Sequence, residues 1–349
     1  MIILSINIWV KLAELIMHTS WLTAEHYAGL STEPKQAFIA PLPAFDTLNI
    51  SGVDKVKYMQ SQTTCDIQRL DDTNFLRGAH CDAKGKMWSQ FHICYATNDD
   101  ATDTDPTPLI VIAFRDELAA STEQWQKFGV FSKVTFSSGQ DQYAVFGIGG
   151  SDSEQVKTLI SQLGFDLPEV GQLNRHNKAL LLRLADKHFI MLQPVNTAQQ
   201  LMAQTLPLAA PNLWLAEHIR CGFSYLEQSL IGQLVPQMLN LQAIDAISFT
   251  KGCYMGQETV ARLKYRGGNK RAAFILKAQT DELPAAGTSI ELQLNENWRR
   301  SGQVVNAANI NNQLWLIAVL PNDITPADSL RLSSEGAPSL QLVPLPYSL

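Results

Sequence analysis

The sequence predicts an α+β protein with a separate β-barrel or β-sandwich module at its C-terminal end. Three observations predict it. From Pro41 onward, short apolar runs alternate with segments that read as capped helices. After Tyr265 the helical patterns stop, and short strands follow one another across Gly-, Pro- and Asn-rich turns. The 349 residues, 46% hydrophobic and 17% charged, are enough for two or three domains and exclude the disordered, collagen-like and low-complexity classes. There is no internal repeat.

The first stretch, Met1 to Met17, is apolar but interrupted by Lys11 and Glu14. It is too short for a membrane span and lacks the basic start and small-residue cleavage site of a signal peptide. It reads as an N-terminal extension without function, with Met17 as an alternative start. Residues 20–36 form a polar lead-in. A strand is expected at Thr47–Ile50, and Gly52-Val53-Asp54 leads into a helix carrying Val56, Tyr58 and Met59. Ser121 with Gln124, and Ser151 with Glu154, have capping-box spacing and predict two helix starts. The second helix should run to Leu163 and stop at Gly164. Further strands are expected at Leu109–Phe114, Tyr143–Ile148, Leu180–Leu184 and Phe189–Leu192. The acidic, proline-broken run from Asn98 to Thr107 reads as an exposed hairpin loop. Residues 272–278, 288–294, 302–306 and 313–319 are the strands of the C-terminal module.

The net charge of -6 argues against indiscriminate nucleic-acid binding and leaves room for a local basic patch. Five cysteines, Cys65, Cys81, Cys94, Cys221 and Cys253, are widely spaced with no C-x-x-C, which fits a reducing cytoplasm and neither a disulfide framework nor a structural zinc site. Seven histidines include no metal-binding spacing, so no metal is expected. His80 and His92 alternate with apolar residues and read as core or hairpin histidines. Cys65, Cys81 and Cys94 read as small packing residues, and Trp88 and Trp125 as core aromatics.

The densest chemistry lies at Lys251-Gly252-Cys253-Tyr254-Met255-Gly256-Gln257-Glu258. Two glycines permit a tight turn, and a helix is expected from Gln257. A cysteine beside Lys251 and just before a helix can have its thiolate stabilised by the cation and the helix dipole. Residue chemistry leaves this reading open beside a plainer one, a buried turn cysteine packed on Tyr254. Downstream, Arg262, Lys264, Arg266, Lys270 and Arg271 surround Tyr265 and the Gly267-Gly268 hinge. This run can neutralise phosphates while Tyr265 stacks on a base, hold the polyglutamate tail of a folate, or be a solvated linker face. Arg299 and Arg300 extend it if the fold brings them near.

The stretch from Lys251 to Glu258 resembles the K-G-C-Y-x-G-Q-E signature of the YgfZ family. These are folate-binding proteins related to the T-protein of glycine cleavage, described as tRNA-modifying and linked to the maintenance of iron–sulfur enzymes. Lys57-Tyr58-Met59-Gln60, Ala79 to Trp88, Phe131 to Thr135, Pro236 to Gln242, Glu296 to Arg300 and Pro344 to Leu349 carry the resemblance further, over residues 42–349. It implies a three-domain clover around a central folate-binding channel: an extension at 1–40, two interleaved α+β domains at 41–250 with 53–138 as the inserted one, the motif and basic linker at 251–267, and a β-barrel at 268–349.

The resemblance further implies tetrahydrofolate or another reduced folate as cofactor. Trp214 and Phe45 would flank the folate, Phe45 standing where relatives have tryptophan, with Tyr254 and Arg262 as further contacts. Cys253 would be the functional thiol, and Lys251 and Gln257 would shape its pocket. Where relatives read I-E-A-G, this chain has Ile219-Arg220-Cys221-Gly222, so the acid that can grip a pterin is replaced by a cation, and Glu217 is one substitute. The acidic pair of the aminomethyltransferases falls on Ser89 and Gln90, which implies no glycine-cleavage activity. The implied role is a monomeric, cytoplasmic accessory protein for iron–sulfur enzymes, including those that thiolate tRNA, with tRNA contact through 262–271. The alternative is a folate-dependent one-carbon transferase acting on tRNA or another acceptor, whose base would come from Asp66, Asp82 or Glu258.

Overall fold

The structure, a computed structural model, describes residues 19–97, 107–333 and 337–349. The extension Met1 to Met17 and the acidic run from Asn98 to Pro106 lie outside the described residues.

Helix α1 (Ala24–Ala28) is capped by Thr23, whose hydroxyl accepts from the His26 amide. It precedes strand β1 (Phe38–Pro41), which is wholly buried. The chain then builds β2 (Phe45–Ser51), α2 (Lys55–Gln62), β3 (Leu76–Cys81), β4 (Met87–Tyr95), β5 (Leu109–Phe114), α3 (Arg115–Phe128) and β6 (Thr135–Ser138). It returns through β7 (Tyr143–Gly149), α4 (Ser153–Gln162), β8 (Leu173–His176), β9 (Ala179–Ala185), β10 (His188–Pro194), α5 (Val195–Met202) and α6 (Pro211–Arg220). A long stretch of turns leads to α7 (Gln257–Tyr265). The last six strands are β11 (Arg271–Gln279), β12 (Ser289–Leu294), β13 (Asn297–Ile310), β14 (Gln313–Pro321), β15 (Leu330–Leu332) and β16 (Ser339–Val343).

These strands make two five-stranded sheets, ordered β1-β7-β10-β9-β8 and β3-β4-β5-β2-β6, and a closed barrel, β11-β14-β13-β12-β15-β16. Because β1 pairs with β7, everything from β2 to β6 is an insertion into the first sheet. The insertion therefore starts at Phe45, ahead of the boundary at 53 drawn from the sequence, since β2 pairs with β5 and β6 and not with β1.

Three details of the sequence reading are corrected. Ser121 does not begin a helix. It lies inside α3, which starts directly at the end of β5 with Asp116 and Glu117 against the dipole of its first turn. The Ser121 hydroxyl is buried and donates to Ser89 Oγ at 2.6 Å. The α4 cap is Asp152, whose carboxylate accepts from the amides of Glu154 and Gln155, and not Ser151. Strand β13 is far longer than 302–306, because its polar first half hairpins onto β12 across Asn295, a residue in the left-handed region at φ 57°.

The two sheets pack face to face, Phe45, Ile110 and Ile112 of the inserted sheet against Phe38, Ala40, Val145, Leu182, Ile190 and Leu192 of the first. The other face of the first sheet is covered by α4 and α5. On β14, Leu314, Leu316, Ala318 and Leu320 point into the barrel. Alternate residues Ile317 and Val319 point outward, onto Leu226, Leu234 and Leu239 of the turn-rich stretch and Ala79 and Met87 of the inserted sheet. That stretch thus ties the barrel to the inserted domain. Trp125 is fully buried, whereas Trp88 is only half-buried, a correction to its reading as a core aromatic.

Candidate functional site

The turn at 251–256 is held from beneath by the inserted domain. Lys251 is buried, and its ammonium donates to the carbonyl oxygens of Thr63 (2.9 Å) and Cys65 (2.5 Å), just past α2. Burial pulls its amine down to about 8, opposed by Cys65 and Asp66, so the group still carries its charge at neutral pH. The Met255 amide donates to the Ser61 carbonyl at 3.0 Å. Tyr254 is buried, with the Lys251 ammonium 5.3 Å from its ring centre. Gly256 sits at φ +83°, and a Cβ there would stand 2.6 Å from the Asp82 carbonyl oxygen, so the close approach to β3 admits only glycine. Gln257 then opens α7.

Cys253 is exposed, which removes its reading as a buried turn cysteine packed on Tyr254. Cys65, Cys81 and Cys94 are buried and Cys221 is half-buried. Burial pushes the Cys65 thiol to about 11 and the Cys94 and Cys221 thiols to about 12, so none of the three offers thiolate at neutral pH. The expected partnership of Lys251 with the Cys253 thiol is corrected: the ammonium is turned toward two backbone carbonyls, and its part is to anchor the turn.

A second centre lies where the first sheet, α6, the loop at 243–245 and the C-terminal tail converge. A cavity of about 790 Å³ opens there, with Lys187, His188, Glu217, Arg220, Phe223 and Tyr347 in its wall. Burial raises the Glu217 carboxyl to about 7, offset in part by the Gly150 amide, which donates to it at 3.2 Å, and by Arg220 and Lys187. His188 Nε2 and His218 Nδ1 are hydrogen-bonded at 2.9 Å, and burial keeps both imidazoles neutral. His188 Nδ1 and Arg77 Nε are buried polar atoms of the wall without a protein partner. Arg77 also borders a narrower adjoining pocket, together with Phe45, Gln90, Phe114, Glu117 and Tyr225.

Phe45 and Trp214 are brought together, but not as a sandwich. Their rings meet edge to face, 5.5 Å apart, with no slot between them. Trp214 is fully buried, its ring stacked on His188 and His218 and pressed against Gly147, where a Cβ would lie 2.3 Å from the indole. Its Nε1 donates to the Phe189 carbonyl at 2.9 Å. Trp214 therefore backs the cavity wall through His188, and of Phe45, Trp214, Tyr254 and Arg262 only Phe45 borders either cavity. Arg262 is exposed on α7, in the basic run with Lys264, whose ammonium lies 3.7 Å from the Phe249 ring centre. Tyr265 is 69% exposed.

Asp82 Oδ1 accepts from the amides of Lys84 (2.8 Å) and Lys86 (2.7 Å), and Asp66 accepts from Gln60, so both carboxylates shape turns. Glu258 is exposed on α7. The residues that sequence reasoning missed are Arg77, His188, His218 and Glu117. Glu117 is buried on α3 and accepts from the Gln90 amide at 2.9 Å, and burial raises its carboxyl well above the usual range. The available signal was a polar residue at an inward position of an otherwise apolar element, as His188 is on β10 and Glu117 is in the first turn of α3. Among the described residues, no cluster of His, Cys, Asp and Glu can hold a metal ion, and no helix is long and apolar enough to cross a membrane.

The family model for the YgfZ, beta-barrel domain matches residues 269–335. A tRNA-modifying protein YgfZ from Yersinia pseudotuberculosis is 39% identical over 311 residues, covering 86% of this chain and 90% of its own length. That of Yersinia enterocolitica is 37% identical over 309 residues with the same coverage. Among solved structures, the glycine cleavage system aminomethyltransferase T from Bartonella henselae superposes with a TM-score of 0.66, at 11% identity, over 92% of this chain and 88% of its own. At that identity the likeness is one of fold.

Proposed function

The chain belongs to the YgfZ family, and from that premise we propose that it is a folate-binding accessory protein of tRNA modification, with Cys253 as its functional thiol. The observation that carries the folate half is the 790 Å³ cavity with a half-ionised carboxyl in its wall. Its size lies within the range of small-molecule sites, about 300–1,000 Å³. Its wall fits the group: Glu217 can accept two N–H bonds from a pterin-like ring, the orphaned Arg77 Nε and His188 Nδ1 supply a donor and an acceptor, and Lys187 and Arg220 suit an acidic tail. Glu217 lies one helical turn before Arg220 and faces the same cavity, which supports it as the substitute for the missing acid. A bound folate supplies one-carbon carrying capacity; the chain's own residues bind and orient it.

The exposed Cys253, on a turn fixed by Lys251 and Gly256, is presented to macromolecules. Iron–sulfur enzymes, including those that thiolate tRNA, are the proposed clients, and the basic run at 262–271 is the proposed tRNA contact. The second reading, a folate-dependent one-carbon transferase, draws support from Glu217 itself, since a carboxyl poised near neutral pH on a ligand cavity has the properties of a general base.

Calorimetric titration with tetrahydrofolate and its methyl and formyl derivatives tests the proposal. Saturable binding, retained in Cys253→Ala and weakened at least tenfold in Glu217→Gln, is expected. If no reduced folate binds the wild-type protein, the folate assignment fails.

A further inference from the structure

Three stretches far apart in sequence meet on one face of the molecule. A cleft of about 360 Å³ lies between the barrel and the turn-rich stretch, lined by Gln233, Leu234, Met238, Arg271, Arg300 and Gln303. Arg271 Nη1 donates across it to the Ser301 carbonyl at 2.9 Å. Lys86 stands at the rim, its ammonium donating to the Gln233 carbonyl at 2.6 Å. The adjoining Gly85 packs on Gly256 and Thr259, at the start of α7 and three residues from Cys253. From the other side, Gln237 Nε2 donates to the Val260 carbonyl at 2.6 Å and its own carbonyl accepts from Asn269 Nδ2 at 3.2 Å, which fastens α7 and the basic linker to the cleft wall. A continuous path therefore runs from Arg300 through Lys86 to the Cys253 turn.

Cations outnumber acids along this path, where Asp82, Glu258 and Glu291 are the neighbouring carboxylates. Among the described residues, none of Lys86, Arg262, Arg266, Lys270, Arg299 and Arg300 takes part in an ion pair. In a protein of net charge -6, such clustering is an electrostatic footprint for a polyanion. Tyr265, held edge-on to Phe249 yet 69% exposed, offers a face on which a base can stack. Cations along a groove beside an exposed aromatic face are the combination by which proteins hold single strands.

We propose that the cleft between the barrel and the 233–238 stretch holds a single-stranded segment of RNA and leads it to Cys253. This rests on the tRNA reading above and adds the path, the strandedness and the residues Lys86 and Arg300. Each phosphate neutralised releases counterions, so two cations in the path contribute a slope of about -1.4 to log K against log salt for a single strand.

The test uses the full chain, an unmodified tRNA transcript, and two variants: Lys86→Gln/Arg300→Gln, and Arg262→Gln/Arg266→Gln. Glutamine keeps a donor at each site, and thermal unfolding of both variants should match the wild type. The first variant should bind tRNA at least tenfold more weakly and show a salt slope shallower by about 1.4. A single-stranded oligonucleotide should compete with tRNA, and a blunt duplex of the same length should not. Cys253 is the exposed thiol among five, so its alkylation by iodoacetamide reports occupancy of the path. Saturating tRNA should slow it at least fivefold in the wild type. If wild-type protein does not bind tRNA, the tRNA reading falls and this proposal with it. If the Arg262/Arg266 variant weakens binding while the cleft variant does not, the proposal is overturned and the tRNA reading stands. Equal competition by the duplex, or alkylation unchanged by bound tRNA, also overturns it.

Discussion

The turn that carries Cys253 and the cavity that carries Glu217 are built in opposite ways. In the turn, everything that fixes the backbone is buried, from the Lys251 ammonium on two carbonyls to the Gly256 contact with Asp82, while the one reactive group faces solvent. In the cavity the reactive group is itself withdrawn from solvent, and its ionisation is displaced for that reason. The contrast teaches a division of labour. An exposed thiol on a rigid support suits a macromolecular partner, whereas a carboxyl tuned by burial suits a small molecule enclosed by the protein.

The hardest test of this comparison is Trp214→Ala. If the indole is a beam behind the cavity, its removal leaves a hole between Gly147, His188 and His218 and should cost about 3–5 kcal/mol in equilibrium unfolding. A variant that unfolds at the wild-type denaturant midpoint and yet loses folate binding would return Trp214 to the ligand. Next in size is Lys251→Met. It leaves the Thr63 and Cys65 carbonyls without their donor and should destabilise the protein by about 2 kcal/mol, while folate affinity stays at the wild-type value.

The pH dependence of folate affinity sharpens the other half. Burial holds the Glu217 carboxyl at about 7, so it is ionised above that pH and protonated below it. If the carboxylate grips the ligand, affinity should fall about tenfold per pH unit as pH drops below 7, and Glu217→Gln should flatten the profile. The stability linkage has the opposite sign. Since the folded value is raised from 4.5 to about 7, the stability attached to Glu217 is fully present below pH 4.5 and is lost as pH rises from there through 7, so Glu217→Gln should remove that loss in urea unfolding. A profile that is identical in both proteins would remove Glu217 from the ligand.

The difference between the regions also explains what was legible in the sequence. The Cys253 turn is contiguous, and its two glycines, its cysteine and the helix start at Gln257 could all be read in order. Strands β2, β5, β7, β9, β10 and β11 to β14 were legible for the same reason, as local apolar runs bounded by turns, whereas β1, β3, β4, β6, β8, β15 and β16 were not read as strands. What was not legible depends on contacts distant in sequence. The Lys251 ammonium bonds carbonyls nearly two hundred residues earlier, and so could not be separated from its neighbour Cys253. The cavity draws on β10, α6, the 243–245 loop and the tail. His188 and Arg77 looked like ordinary strand residues until their orphaned atoms were found on one wall. Ser121 had capping-box spacing, but the end of β5 sets where α3 begins.

The smallest effect is expected at Cys253, and it carries the comparison furthest. Its side chain is exposed, and a Cβ on the preceding Gly252 would have no atom within 4 Å, so the turn stands clear of the body at this point. Cys253→Ser keeps the shape of the side chain and removes only the thiol. Stability should change by less than about 0.5 kcal/mol, as at other exposed sites. Folate affinity should be unchanged, since Cys253 lies outside the Glu217 cavity. Thiolation of tRNA in cells lacking the wild-type gene should nevertheless fail to recover. Full recovery would leave the turn as a rigid scaffold without chemistry, and a drop in folate affinity would mean that thiol and carboxyl serve one site.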